Sequence, residues 1–381
     1  MSEWPAMDDC LKLTSYFGER HRAGGRFAAD ALLDLYGRHE IAASVLLRGA
    51  EGFGLKHHLS TDHSLTLSED LPLIAVAVDR RPLIEAVLPR VLALTDSGLV
   101  TLERARLITS TSGVAWPPGE RPRPADPDEA TKLTIYLGRQ QRVYRVPAFA
   151  AVCDLLYRRG VDGATALLGV DGTAHGRRER ARFFSRNADV PMMVIAVGSA
   201  RRIAAVLPEL GALLERPLIT LERVHVCKRD GRLLGRPHAL PGASEHGLAL
   251  WHKLMIYTSE AARDGGQPIH RAIVRHLRSA GLSGATTQRG VWGFHGGHAP
   301  HGDRLLQLGR HVPVVTVVVD SPERTSRAFD IIDEVTGTRG LVTSEIIPAL
   351  QASAGSRRRG GLRLATHHLT GPPAEPPGPA R

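Results

Sequence analysis

The sequence predicts an α+β protein in which one small domain is written three times, and three observations predict it. First, Arg48-Gly49-Ala50-Glu51-Gly52-Phe53-Gly54 returns as Arg289-Gly290-Val291-Trp292-Gly293-Phe294-His295, with arginine, both glycines and phenylalanine in the same order. A worn copy, Leu168-Gly169-Val170-Asp171-Gly172-Thr173-Ala174, stands between them at steps of 120 and 121 residues. Second, Lys12 and Tyr16 recur at the same interval as Lys132 and Tyr136, then as Lys253 and Tyr257. Third, the apolar pattern in each copy alternates between strand and helix periods in one fixed order.

Repeat 1 opens on Leu11 to Phe17, a strand by alternation and β-propensity, which Gly24-Gly25 ends. Phe27, Ala31, Leu32, Leu35 and Tyr36 fall on one helical face. Ile41 to Leu47 is the second strand and runs into the Arg-Gly stretch, followed by a polar, histidine-bearing loop from Lys56 to Asp70. Leu73 to Val78 is the third strand, closed by Asp79. Pro82 suits the first turn of a second helix with Ile84, Val87, Leu88, Val91 and Leu92 inward, kinked at Pro89. Gly98 leads into the last strand, Leu99 to Glu103. The order βαββαβ is the ferredoxin-like arrangement. Repeat 2 follows it with strand Leu133 to Leu137, a helix opened by Pro147, strand Met192 to Val197, and Thr220-Leu221-Glu222-Arg223 echoing Thr101-Leu102-Glu103-Arg104. Repeat 3 has strand Leu254 to Tyr257, a helix after Pro268, and strand Val314 to Val319, closed by Asp320.

These units place the domains at residues 10–111, 131–227 and 250–350, joined by a proline-rich connector at 112–130 and a polar linker at 228–249. Residues 351–381, with Arg357-Arg358-Arg359 and repeated prolines, read as a disordered tail. The third strands are almost continuously apolar, which marks strands buried on both faces. Two helices cover one face of such a sheet, so the sister repeats must cover the other. The expectation is an intramolecular pseudo-trimer around a pseudo-three-fold axis.

Composition agrees with a soluble globular chain: 381 residues, 43% hydrophobic, 23% charged, and no apolar run of membrane-spanning length. No secretory leader is apparent at Met1-Ser2-Glu3-Trp4-Pro5, and Cys10, Cys153 and Cys227 are too scattered for a disulfide framework, so the expected compartment is the cytoplasm. A formal charge of +10 attracts anions, while 5% aromatics argue against a stacking platform for single-stranded nucleic acid.

The pattern Arg-Gly-x-x-Gly-Phe-Gly after strand two, with Leu67-Ser68-Glu69-Asp70-Leu71-Pro72 before strand three, resembles domain of unknown function 190, the uncharacterised protein family 0166. That resemblance implies membership of the PII-like superfamily of trimeric ferredoxin-like signalling proteins, here as three fused copies. It further implies clefts between neighbours that bind adenine nucleotides or other small anionic effectors. The loop after strand two would then regulate a membrane transporter or an enzyme. Genes of the family often lie beside fluoride-exporter genes, an association at family level.

The residues permit the same chemistry. Glycine lets another group approach the backbone, and successive N–H groups in such a turn form an anion-binding concavity. Arg48 or Arg289 can hold a phosphate or carboxylate in a bidentate contact, and Phe53 or Phe294 can support a flat ring or simply pack. The candidate anion site is therefore Arg48, Gly49, Gly52, Phe53, Gly54 and Lys56, with Arg289, Gly290, Gly293 and Phe294 as its second copy. Leu168 and Thr173 replace arginine and phenylalanine in repeat 2, so the expectation is two competent clefts and one altered. The basic run Arg177 to Arg182 reads as a solvated surface. A rival reading is divalent metal held by His57, His58 and His63, or by His295, His298 and His301. Another is an interaction module without a small ligand. No nucleophile–base pairing marks an enzyme, and no nucleic-acid module is present.

Overall fold

The computed structural model describes residues 8–54, 58–62, 70–109, 129–180, 190–295, 299–302 and 312–366. Repeat 1 contributes β1 (Asp8–Gly18), α1 (Ala28–Arg38), β2 (Ala43–Arg48), β3 (Glu51–Phe53), β4 (Pro72–Arg80), α2 (Arg81–Leu94) and β5 (Ser97–Ile108). Repeat 2 contributes β6 (Glu129–Gly138), α3 (Ala148–Arg158), β7 (Gly163–Ala174), β8 (Pro191–Gly198), α4 (Ala200–Leu213) and β9 (Leu218–Arg229). Repeat 3 opens with β10 (Trp251–Ser259), α5 (Ile269–Ser279), β11 (Ala285–Arg289) and β12 (Trp292–His295). It closes with β13 (Pro313–Asp320), α6 (Pro322–Thr336), β14 (Leu341–Ile347), β15 (Ala349–Ala354) and β16 (Arg357–Gly361). Pro82 and Pro322 sit in the first turns of α2 and α6, where a missing N–H leaves no bond unmade. α2 continues through Pro89 to Leu94.

Within each repeat the antiparallel order is second, third, first, fourth strand: β2-β4-β1-β5, then β7-β8-β6-β9, then β11-β13-β10-β14. The two helices of a repeat cover one face. Along β4, Leu73, Ala75 and Ala77 join Leu32, Tyr36, Ile84 and Val87 in the helix-side core. Ile74, Val76 and Val78 join a second core shared with Tyr136, Met193, Met255 and Val317 of the sister repeats. That double burial is why the strand is continuously apolar.

The sheets join edge to edge: β5 pairs with β9, β9 with β14, and β15 with β5. The result is one 20-stranded array, a strand barrel around the shared core with the helices outside. Among the described residues, no helix is long and apolar enough to cross a membrane.

Six charges occupy the middle of that apolar core. Lys12 stands opposite Glu103, Lys132 opposite Glu222 and Lys253 opposite Glu345 in the strand register. These pairs close at 3.0, 2.9 and 2.9 Å. Each lysine also reaches the glutamate of another repeat: Lys12 to Glu222, Lys132 to Glu345, Lys253 to Glu103. An alternating ring of three ammonium and three carboxylate groups results. Burial opposes the charge on Lys12 and Lys253, but the flanking carboxylates outweigh it and hold both above the ordinary lysine range. Lys132 is instead drawn down to about 8 by its burial, against the pull of Glu222 and Glu345, which still leaves it charged at neutral pH. The three glutamates approach as a metal cage would, within 4.8 Å of one another, but the lysines already neutralise them.

Three expectations are corrected. The tail is not disordered from residue 351, because β15 adds to the open edge of β5 and β16 folds back on it. Backbone pairing holds this hairpin, so its exposed arginines gave no apolar signal. The linker at 228–249 begins inside β9: Lys228 is buried against α6, donating to the Asp333 carbonyl at 2.8 Å and to Thr336 Oγ1 at 3.0 Å. In the basic run, Arg178 is not solvated but bridges Asp171 of its own repeat, at 2.5 Å, to Asp34 of α1. The connector at 112–130 lies almost wholly outside the described residues.

Candidate functional site in the cleft between repeats 1 and 3

The glycine stretches are where one repeat enters the next. β3 pairs with β11 of repeat 3, β12 with β7 of repeat 2, and the far half of β7 with β2 of repeat 1. The clasp runs head to tail. Glycine is required by the close approach: a Cβ on Gly52 would lie 2.6 Å from the Ala285 carbonyl oxygen, and one on Gly49 2.7 Å from Pro72 Cγ. The neighbouring amides serve pairing. Gly49 and Ala50 donate to Pro72 and Thr287, both at 2.8 Å, while Gly290 and Val291 donate to Pro313 and Ala166 at 2.7 and 2.8 Å. These four N–H groups therefore form strand contacts rather than the anion-binding concavity expected of them.

The motif side chains follow the clasp. Phe53 enters the helix-side core of repeat 3 beside Ile269 and Ile273, and Phe294 enters that of repeat 2, edge-on to Tyr157 at 5.3 Å. Thr173, in the phenylalanine position of repeat 2, donates to the Ile41 carbonyl at 2.8 Å. Arg48 pairs with Glu19 at 2.9 Å; Arg289 pairs with Glu260 at 2.8 Å and with Asp62 of repeat 1. Glu19 and Glu260 occupy equivalent places, their N–H groups bonded to Leu71 and Val312 as that of Arg139 is to Val190. Repeat 2 thus carries Arg139 and Leu168 where the others carry glutamate and arginine. The pair is exchanged as a unit.

Between repeats 1 and 3 the clasp leaves a cavity of about 670 Å³. Gly52, Phe53, Gly54 and His58 line it from repeat 1, with Tyr16, Gly18 and Gly98 from the ends of β1 and β5. Ser283 to Thr286, Val319 and Asp320 face them from repeat 3, and β15 and β16 form a wall through Ala352, Ser353, Ala354 and Arg359. Its cations are Arg20, Arg22 and Arg359, with His21 and His58. Its two carboxylates are held by backbone: Asp70 accepts from the Arg20 N–H at 2.7 Å, and Asp320 from Ser283 and Ser321, both at 2.9 Å. Arg359 stands 4.8 Å over the Trp251 ring and 3.7 Å from Asp320.

Among the described residues, the equivalent position between repeats 2 and 3, lined by Gly163, Ala164, Tyr257, Phe294 and His295, holds about 10 Å³. The described residues at the Arg289 motif leave much less room than those at the Phe53 motif. A fourth-strand extension borders both places. Leu341 and Leu99 face the equivalent Tyr257 and Tyr16, and Arg229 lies opposite Leu341 as Ala352 lies opposite Leu99. Arg229 pairs with Asp162 at 2.6 Å, and Arg202 holds the same carboxylate at 3.2 Å. Ser283, preceding Gly284 as Asp162 precedes Gly163, takes that place in the open cleft. Small residues leave the room that an ion pair occupies next door.

Neither Arg48 nor Arg289 is on the wall of the large cavity, and Lys56 lies outside the described residues. So do His57, His63 and His298. His58 lines the cavity, His295 the closed one, and His301 Nδ1 meets the Ala299 carbonyl at 2.9 Å. Among the described residues these histidines form no three-ligand cluster. Arg20, Arg22 and Trp251 carry no signal in the sequence, and Arg359 stands out there only as part of the arginine triplet of the tail. The available signal was the small pair Ser283 and Ala352 standing where repeat 2 has Asp162 and Arg229.

The family model for domain of unknown function 190 (DUF190, "Uncharacterized ACR") matches residues 10–107, 130–226 and 251–349, so the chain belongs to that family three times over. A UPF0166 protein of Aquifex aeolicus is 30% identical over 98 residues, covering 26% of this chain and 90% of its own length. The UPF0166 protein MJ1524 of Methanocaldococcus jannaschii is 29% identical over 89 residues, covering 23% of this chain and 82% of its own. Each relative therefore corresponds to a single repeat. Among solved structures, CrmK, a flavoenzyme of caerulomycin biosynthesis, overlaps 82% of this chain and 66% of its own, at 14% identity and a TM-score of 0.19. That likeness carries no argument.

Proposed function

We propose that the chain is a non-enzymatic, cytoplasmic signalling protein of PII-like type, its three ferredoxin-like units binding one small anionic effector in the cleft between repeats 1 and 3. The observation that carries this reading is the 670 Å³ cavity at the repeat boundary, of a size that takes a small-molecule ligand and bordered by three arginines. The second-third-first-fourth strand order and the packing of three sheets around one core support the PII-like relation. An adenine nucleotide fits the chemistry: phosphates beside Arg20, Arg22 and Arg359, and a base against the apolar wall. Occupancy would set the loop after Gly54 and alter docking on a transporter or enzyme. The test is thermal unfolding with ATP, ADP, AMP and inorganic anions. A specific ligand raises the midpoint with concentration, and the rise disappears when S283D/A352R recreates the closed cleft. A rise that persists in that variant places the ligand elsewhere, and a rise with divalent metal alone favours the histidines.

A further inference from the structure

Each repeat joins its first strand to its first helix through a short hairpin, and the three copies serve as internal controls for one another. In repeat 1 the turn is Gly24-Gly25, with φ of 56° and 81°; in repeat 3 it is Gly265-Gly266, with φ of 51° and 82°. Two successive left-handed residues make a tight turn that favours glycine for want of a Cβ. Repeat 2 keeps the same turn, at φ of 47° and 70°, but builds it from Tyr144 and Arg145. Two side chains disfavoured by the backbone have taken the place of two glycines.

The result is displayed outward. Tyr144 is 89% exposed and Val146 45%, whereas the other tyrosines are buried or half-buried. Among the described residues neither the Tyr144 nor the Arg145 side chain makes a hydrogen bond, ion pair or ring contact. The exposed ring of repeat 1, Phe27, is by contrast covered by its own Arg22 at 4.2 Å. Charge separates the copies too. Arg139, Arg142 and Arg145 stand on the repeat 2 segment with no acidic residue from position 139 to 153. The matching segments carry Glu19 and Asp30 in repeat 1, and Glu260 and Asp264 in repeat 3.

We infer that the Tyr144-Arg145 tip is a docking knob for a partner protein that offers an apolar pocket ringed by carboxylates. Tyrosine and arginine are the side chains that most often anchor such contacts, and complementary charge selects the partner. One ring and one valine offer little area for insertion into a lipid surface. A second copy of a chain of net charge +10 lacks the complementary charge.

The test uses the full chain and its Y144G/R145G variant, which restores the glycine turn of the sister repeats. A displayed library of twelve-residue peptides is panned on the native chain, with the variant as competitor. The expected winners carry Asp or Glu around an apolar residue. Their synthetic consensus binds the native chain at least tenfold more tightly than the variant, and more weakly as salt rises. The variant is expected to melt at the same temperature or higher, because its turn suits its residues. Equal binding to both chains, or no enriched peptide, overturns the inference. A clearly lower melting temperature shows that the tip serves folding and also overturns it. Tyr144-dependent binding to phosphatidylserine vesicles, or Tyr144-dependent dimerisation in sedimentation, replaces the protein partner with a membrane or a second copy.

Discussion

Lys132 Nζ stands 2.9 Å from Glu222 of its own repeat and 2.5 Å from Glu345 of the next. Repeated around the axis, this relationship ties the repeats through a ring of six buried charges. Buried pairs are poor sources of net stability, because desolvation offsets attraction, but breaking one strands a charge. E222Q or K132M should therefore lower unfolding free energy by about 3–5 kcal/mol. Replacing all six charges with methionine and leucine together should be neutral or stabilising by about 1–4 kcal/mol. Urea unfolding measures both. A single substitution as mild as the sixfold one would show that the ring carries no stranded charge.

The same ring sets the response to acid. Burial pushes the Glu103 and Glu222 carboxyls up, but the surrounding lysines outweigh it and hold both below the ordinary 4.5. On acidification the unfolded chain takes up protons first, so stability is fully present above about pH 4.5 and falls below it. Melting temperature recorded from pH 7 to pH 3 should drop steeply below 4.5 in the native chain. The chain without the six charges should show a shallower drop.

The repeat, the element order and the face-inward packing were legible because each rests on periodicity: β4 alternates between two cores, and its continuous apolar run said so. Lys12, Lys132 and Lys253 were visible as markers, and Glu103 and Glu222 as part of an echo. Their meeting was not visible, because it depends on register between repeats. Gly49 and Gly52 announced close approach, but sequence cannot say what approaches; here it is Pro72 and the β11 backbone. The cleft escaped for a similar reason. Its wall is a hairpin of charged residues held by backbone pairing to β5, and its volume follows from Ala352 and Ser283 being small.

The clasp itself predicts an ordering of costs. Phe53 is buried in the core of repeat 3, so F53A should cost about 3–5 kcal/mol. Arg48, about half exposed and paired once with Glu19, should cost under about 1 kcal/mol when changed to alanine. Chemical denaturation of the two variants checks the ranking. An Arg48→Ala loss as large as that of Phe53→Ala would make the arginine a structural tie rather than a surface pair.

The closed cleft between repeats 2 and 3 can be opened if its closure is understood. Asp162 and Arg229 hold each other at 2.6 Å, and Ser283 and Ala352 are the residues that leave the equivalent place free. Exchanging them as D162S/R229A removes both partners at once, so neither charge is left without its opposite. Arg202, half exposed, loses its carboxylate to solvent at small cost. The variant should fold with stability within about 1–2 kcal/mol of the native chain, because the ion pair is partly exposed and both halves leave together. It should also gain a second cavity. With any ligand that raises the native melting temperature, calorimetric titration should then move from one site per chain towards two. If the number of sites stays at one, the difference between the clefts lies in His295, which lines the closed side where the open one has Gly54, and not in the Asp162–Arg229 pair.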